Sequence, residues 1–170
     1  MAKVRFLSLE RRFDRDPLFK SRYIDFMREY LQLGHMSEDV NSNDNTSYYL
    51  PHHGVMREQS TTTKLRVVFD ASAVTTSGFS LNHLQMIGPT VQDDLYSILL
   101  RFRQHRYVVS ADIEKMYRAI ELNKSQRSLQ KILFRFNQYE PLKTYVLNTV
   151  TYGTASAPYL ATKSLFTGLK

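Results

Sequence analysis

The sequence contains no cysteine and no long apolar run. Without thiols the chain cannot form disulfides or thiolate metal sites, which fits a reducing compartment such as the cytoplasm. No stretch of about 18 apolar residues occurs, so the sequence predicts no membrane span and no membrane partner. Charges at Lys3, Arg5, Glu10 and Arg11 interrupt the first residues, which excludes the apolar core of a signal peptide.

The balance of charge is basic. The 170 residues are 42% hydrophobic and carry 23 Lys and Arg against 16 Asp and Glu, a net charge of +7. That length supports one hydrophobic core but not several subdomains. Residues 101–143 hold ten basic and four acidic side chains, so this segment is a candidate phosphate-facing surface. A basic excess that only keeps the surface soluble is the alternative.

The N-terminal third contains one clear helix signal. Asp16 and Pro17 suit an N-cap and a first helical position, and Gly34 suits a helix end. Between them, large apolar side chains recur at helical spacing: Phe19, Tyr23, Phe26, Met27, Tyr30 and Leu31. This stripe predicts an amphipathic helix whose aromatic face packs into the core; a partner-binding face is the alternative. Residues 37–47 are almost entirely polar and predict a solvated loop.

The middle of the chain predicts a β-hairpin and a second helix. Residues 48–55 and 65–69 are typical of strands, with a turn between them. His52 and His53 are adjacent in the first strand, so they point to opposite faces and do not predict a metal site. Thr90 followed by Asp93 predicts a capped helix start, and the helix should end at residues 103–106.

The last third predicts short mixed elements. Residues 125–132 are a helix candidate, and residues 133–136 and 144–150 predict two strands joined by a turn, as part of an antiparallel sheet. Ser156 and Pro158 suit the start of a final helix, whose apolar positions recur every four residues at Ala161, Leu165 and Leu169.

The most informative stretch is residues 110–120, Ser-Ala-Asp-Ile-Glu-Lys-Met-Tyr-Arg-Ala-Ile. Residues 107–109 predict a β-strand, and Asp112 follows where the strand ends. A carboxylate in that position can hold Mg²⁺ against a nucleotide phosphate. A turn former or a helix cap is the alternative role for this aspartate.

The sequence Ala-Asp-Ile-Glu-Lys-Met-Tyr within this stretch resembles motif A of reverse transcriptases, and in particular the motif of the Pao/BEL class of LTR retrotransposons. Other blocks resemble the same family and follow in its order. They are residues 5–13 (Arg-Phe-Leu-Ser-Leu-Glu-Arg-Arg-Phe), 49–55 (Tyr-Leu-Pro-His-His-Gly-Val), 66–72 (Arg-Val-Val-Phe-Asp-Ala-Ser), 92–95 (Gln-Asp-Asp-Leu) and 149–158 (Thr-Val-Thr-Tyr-Gly-Thr-Ala-Ser-Ala-Pro). Several ordered blocks make the resemblance specific.

The resemblance implies an α+β fold, comprising the fingers and part of the palm of a right-hand polymerase. Residues 1–47 would form an N-terminal helical segment and polar loop, residues 48–106 a fingers-like hairpin and helix, and residues 107–170 a partial palm with motifs A and B. The implied activity is RNA-directed DNA synthesis, with two Mg²⁺ ions assisting nucleotidyl transfer to a primer 3′-hydroxyl. RNA template, DNA primer and deoxynucleoside triphosphate would be the ligands.

The resemblance also implies roles for individual residues. Asp112 and the backbone carbonyl of Ile113 would bind metal. Lys64 and Arg66 would grip the triphosphate, since guanidinium forks and ammonium charges both suit phosphate; two solvated charges at a hairpin end are the alternative. The backbone N–H of Lys115 would donate a hydrogen bond to the triphosphate.

Three further groups are implied. Met116 would offer its backbone N–H to the triphosphate alongside Lys115, and Tyr117, unless it is an ordinary packed tyrosine, would be the aromatic gate that excludes a 2′-hydroxyl. Tyr152 and Gly153 would line the nucleotide site in motif B, although Tyr152 stands where retroviral enzymes usually have Gln. The basic residues proposed to contact nucleic acid are Arg101, Arg103 and Arg106.

The sequence lacks the Tyr-x-Asp-Asp motif that supplies the other carboxylates of this family's metal site. We therefore expect the chain alone to have little or no polymerase activity, and we expect the rest of a pol polyprotein, with a virus-like particle as the setting of an active element. A non-catalytic retrotransposon remnant that at most binds nucleic acid is the alternative. A protein-interaction module using the aromatic face of residues 19–31 is a third possibility.

Overall fold

The computed structural model describes residues 1–40, 46–61 and 63–168. The fold is mixed α/β with small antiparallel sheets. Residues 41–45, Thr62 and Leu169, on which parts of the predicted loop, turn and last helix fall, lie outside the described residues. No helix in the described ranges is both long enough and apolar enough to cross a membrane.

Two helices begin the chain. Helix α1 spans Ala2–Arg15, and α2 spans Pro17–Gln32. The Asp16 side chain accepts a hydrogen bond from the Phe19 N–H at 3.0 Å, so the predicted cap of α2 is confirmed. The aromatic face of α2 is buried in the core as predicted, at Phe19, Tyr23, Met27 and Tyr30, but the prediction for Leu31 was wrong, because this side chain is 37% exposed. Helix α1 was not predicted as a separate helix, although its buried residues Phe6, Leu9 and Phe13 recur at helical spacing.

Two small sheets follow. Strands β2 (His52–Met56) and β3 (Leu65–Phe69) form the predicted antiparallel hairpin, with His52 opposite Phe69. Strands β1 (Met36–Glu38), β4 (Lys131–Phe134) and β5 (Lys143–Leu147) form a second antiparallel sheet in the order β1-β5-β4. Helices α1 and α2 pack against these strands, and a shared aromatic cluster fills the space between them.

Several predicted boundaries were wrong because pairing partners, not local propensity, set strand ends. Residues 37–38 belong to β1 and not to a loop, since they pair with β5. The first hairpin strand begins at residue 52, four residues later than predicted, and β4 and β5 end two and three residues before the predicted positions. Residues 124–129 form a short 3₁₀ helix, which gives way to β4 where a longer helix was predicted.

The remaining helices are α3 (Leu81–Leu84), α4 (Leu95–Arg103) and α5 (Ala157–Gly168). The predicted start of α4 at Thr90 was wrong: Asp94 is the N-cap, and its carboxylate accepts from the Ser97 N–H at 3.0 Å. Its predicted end at Arg103 and the predicted final helix are confirmed.

The strand predicted at residues 107–109 is absent, and these residues form neither helix nor strand. Tyr107 is 82% exposed and Val109 is 90% exposed. Residues with high β-propensity form a strand only when a neighbouring strand satisfies their backbone groups. No strand of the described residues pairs with this segment, so it remains irregular.

Candidate functional site

A cleft of about 920 Å³ lies between α2, the start of β3 and residues 112–118. It brings together elements that are far apart in the sequence. Its charged lining is balanced, with four cations and four carboxylates: Arg22, Lys64, Lys115 and Arg118 against Asp25, Glu29, Asp112 and Glu114. A cleft with both signs of charge suits a ligand that carries phosphates together with cations.

Asp112 and Ile113 both line this cleft and are exposed to it. The other carboxylates in the lining have ionic partners: Asp25 binds Arg28 at 2.9 Å, and Glu29 and Glu114 bind Lys115 at 2.6 and 3.6 Å. In the described part of the chain, the Asp112 carboxylate has no hydrogen bond or ion pair. It is therefore the carboxylate of this cleft that is free to bind a ligand.

No group of three or more His, Cys, Asp or Glu side chains within the described ranges is arranged to hold a metal ion. Mg²⁺ is commonly bound by one or two carboxylates together with substrate phosphates and water. The residues present fit an ion shared with a bound triphosphate, with Asp112 as the side-chain ligand. They do not form a site in which the protein alone surrounds the ion.

Lys115 turns the chain at the edge of the cleft. Its φ of +53° lies in the left-handed region, a conformation that a non-glycine residue adopts at some cost. The hydrogen bond from its Nζ to Glu29 raises the pKa of Lys115 and lowers the pKa of Glu29. The Lys115 side chain is thus tied to α2, and the 3₁₀ helix Met116–Ala119 begins at the next residue.

Lys64 and Arg66 occupy different places. Lys64 lies in the cleft, where its Nζ donates to the backbone carbonyl of Glu58 at 3.1 Å. Arg66 is exposed on β3 outside the cleft lining, with its guanidinium 5.3 Å from the centre of the Tyr152 ring. The two predicted phosphate ligands therefore do not share one cleft in this structure.

An aromatic and cationic cluster surrounds Tyr152. Its ring packs edge-on against Tyr117, with 6.0 Å between ring centres, and its hydroxyl accepts from Arg118 Nη2 at 2.8 Å. The Arg118 side chain is 9% exposed and lies over the rings of Phe26 and Tyr30. The structure thus brings together three predicted residues, Arg66, Tyr117 and Tyr152. They lie around Arg118, which was not predicted as a site residue.

Sequence reasoning missed Arg118 and Glu29 because their roles depend on contacts between distant segments. Glu29 lies 86 residues from Lys115, with which it pairs. Arg118 stands directly after Tyr117 in the motif A stretch, but no local pattern indicates that it contacts α2 or Tyr152. Only the packing of this segment against α2 reveals the role of either residue.

Gly153 requires a glycine because of its backbone. Its φ is +105°, and a Cβ atom would lie 2.2 Å from the carbonyl oxygen of Phe69. The Asn82 side chain fixes this turn, since its amide donates to the Gly153 carbonyl at 2.9 Å and its oxygen accepts from the Ala155 N–H at 2.8 Å. The backbone at Gly153 therefore lies against the end of β3, and neither Gly153 nor Tyr152 lines the cleft that contains Asp112.

The three basic residues proposed for nucleic-acid contact lie apart from the cleft. Arg101 forms an ion pair with Asp93 at the start of α4. Arg103 is exposed, and the Arg106 guanidinium lies 5.5 Å from the Tyr107 ring centre. Helix α4 contains no buried residue, so this basic segment lies on the surface.

The histidine pair is arranged as predicted. His52 is buried and His53 is exposed on the opposite face of β2. The two rings therefore cannot bind one ion together.

No protein-family model matches this chain, and no curated protein matches its sequence.

Proposed function

We propose that the chain is the fingers and the first half of the palm of a Pao/BEL-like reverse transcriptase, and that its cleft takes a deoxynucleoside triphosphate with Mg²⁺. One observation carries the proposal. Lys64 of the hairpin and Asp112 of the motif A stretch line the same cleft although 48 positions separate them. The resemblance in sequence implies that both residues lie at the triphosphate, and their presence in one cleft supports the proposal.

In this proposal, the chain positions the nucleotide. Asp112 and the Ile113 carbonyl would hold Mg²⁺, which would supply charge stabilisation for the transferred phosphoryl group. Lys64 would contribute a positive charge to the phosphates. Tyr117 would be the aromatic gate for the sugar; it lies outside the cleft lining but directly before Arg118, which lines the cleft, and it packs edge-on against Tyr152.

Nucleotide binding to the 170-residue chain tests this proposal without requiring turnover. A fluorescent deoxyadenosine triphosphate analogue is titrated with the chain, with and without Mg²⁺. We expect Mg²⁺-dependent binding that Asp112→Asn weakens at least tenfold, because this variant removes the charge that holds the shared ion. Glu140→Gln is the matched control, since it removes one exposed carboxylate from the turn between β4 and β5.

Equal binding by Asp112→Asn and the parent chain would contradict the proposed role of Asp112. Binding that does not depend on Mg²⁺ would contradict the shared-ion arrangement.

A second candidate is a non-catalytic remnant that binds only nucleic acid. The net charge of +7 and the exposed basic residues Arg103 and Arg106 favour it. This candidate predicts oligonucleotide binding with no Mg²⁺-dependent nucleotide binding, so the same titration distinguishes the two functions.

A further inference from the structure

A second concave surface lies between α1 and β2 and shares no lining residue with the cleft that contains Asp112. We define this surface as the arginine groove. It encloses about 360 Å³, and its polar lining is Arg5, Ser8, Arg12, Arg15, His52 and His53. The lining in the described part of the chain contains no carboxylate, which distinguishes the groove from the charge-balanced cleft.

The helix itself produces this arrangement. Arg5, Ser8, Arg12 and Arg15 are spaced by three, four and three residues, so they follow one face of α1. The acidic residues of α1 lie on another face: Glu10 binds Arg135 with both carboxylate oxygens at 2.7 Å. Separating the two signs of charge leaves only cationic charges on this face of α1, although Asp70 from outside α1 pairs with Arg5 at one end of the groove.

Two of the arginines are held in place before any ligand binds. The Arg12 guanidinium lies 3.8 Å from the centre of the Phe19 ring, and its Nη1 donates to the Gly54 carbonyl at 3.4 Å. Arg5 binds Asp70 at 2.7 Å, and half of its side chain stays exposed. Oriented guanidinium groups lose less conformational freedom on binding an anion.

We propose that the arginine groove binds the phosphodiester backbone of a nucleic acid strand, at a site separate from the nucleotide cleft. At 1.5 Å of rise per residue, Arg5 to Arg15 covers about 15 Å. One strand of a duplex places a phosphate about every 3.4 Å along its axis, so about four nucleotides span this distance. A nucleic acid strand carries repeated charge at this density and fits a concave surface that a flat membrane cannot enter.

Salt-dependent binding of a fluorescein-labelled, 20-nucleotide single-stranded DNA of mixed sequence to the 170-residue chain tests the proposal. The test variant is Arg5→Gln/Arg15→Gln, and the matched control is Lys3→Gln/Arg11→Gln, which removes the same charge from exposed positions of α1 outside the groove. Two lost phosphate contacts should lower the slope of log affinity against log salt by about 1.4. The affinity at 0.1 M salt should fall about 25-fold, if the affinities of the two proteins converge at 1 M salt.

The control should keep a slope and an affinity close to those of the parent chain. Equal losses in the two double variants would overturn the proposal, because they would show that binding follows net charge alone. Absence of any DNA binding by the parent chain would also overturn it, and would leave the Mg²⁺-nucleotide titration free to succeed or fail independently.

Two further measurements test whether the variant folds and which class of anion the groove binds. Circular dichroism melting reports whether Arg5→Gln/Arg15→Gln folds. If it does not, Arg15→Gln alone serves, because among the described residues the Arg15 side chain bonds to the Arg11 carbonyl and to no other group. This single variant should lose about fivefold in affinity. Tighter binding of phosphatidylserine vesicles or of polyglutamate than of DNA, with the same dependence on Arg5 and Arg15, would contradict a nucleic acid ligand.

Discussion

We predict that His52 makes the stability of this fold sensitive to mild acid. The imidazole is buried between α2 and β4, where its Nε2 bonds to the Leu133 carbonyl at 3.0 Å and its Nδ1 bonds to the Tyr23 hydroxyl at 2.5 Å. A neutral ring with the proton on Nε2 satisfies both contacts, since Nε2–H donates to the carbonyl and Nδ1 accepts from the hydroxyl. A second proton has no acceptor while the tyrosine donates.

Burial lowers the pKa of His52 from 6.5 to about 4. In the unfolded chain the ring regains its ordinary pKa, so between these two values the unfolded state binds more protons than the folded state. Stability is then fully present above pH 6.5 and is lost as the pH falls towards 4. One pKa unit corresponds to about 1.4 kcal/mol, so the free energy of unfolding should fall by about 2 kcal/mol at pH 5 and about 3 kcal/mol at pH 4.

Urea unfolding at pH 7.5, 6.0 and 5.0 measures this effect in the parent chain and in His52→Gln. Burial also lowers the pKa of His35, which adds a loss of the same sign, but the difference between the parent and His52→Gln removes that shared contribution. We expect the variant to be less stable at pH 7.5 and to lose about 2 kcal/mol less between pH 7.5 and 5.0. Parallel pH profiles for the two proteins would refute the assignment to His52.

Two other substitutions test local features of the fold. Asp16→Ala removes the N-cap of α2 and should lower the free energy of unfolding by about 1 kcal/mol in urea titration. The control Asp14→Ala, at an exposed position in α1, should lower it by less. Equal losses in the two variants would contradict the capping role. Gly153→Ala meets both the left-handed φ and the Phe69 carbonyl, so we expect a loss of more than about 2 kcal/mol. Gly34→Ala is its control, because Gly34 has a φ of +71° but open space around it, and a similar loss in both would show that the contact with Phe69 is unimportant.

The parts of the fold that could be predicted are those specified by neighbouring residues. The Asp16-Pro17 start and the aromatic stripe of α2 both depend on spacing within one helix. The hairpin of β2 and β3 is likewise local, because its strands are consecutive. Helix α1 carried a readable signal as well, since Phe6, Leu9 and Phe13 recur at helical spacing.

The wrong predictions concern segments whose structure depends on distant partners. Residues 36–38 are polar at two of three positions and form β1 only because β5 lies beside them. Residues 107–109 present the reverse case, with strong β-propensity but no adjacent strand in the described ranges. Intrinsic β-propensity is a weak preference. In both segments, the presence or absence of a neighbouring strand decides whether the residues form a strand.

The candidate site, like strand β1, depends on contacts between segments that are distant in the sequence. The resemblance to motif A predicted a metal-binding role for Asp112, but no local pattern indicated which segments hold Asp112 in place. That position is set by α2, because Glu29 binds Lys115 and the rings of Phe26 and Tyr30 hold Arg118. Helix α2 therefore has two faces with different tasks. Its buried aromatic stripe fixes it in the core, and its cleft-facing side holds the segment after Asp112, so a substitution at Glu29 should alter nucleotide binding in the cleft without removing any proposed ligand of the nucleotide.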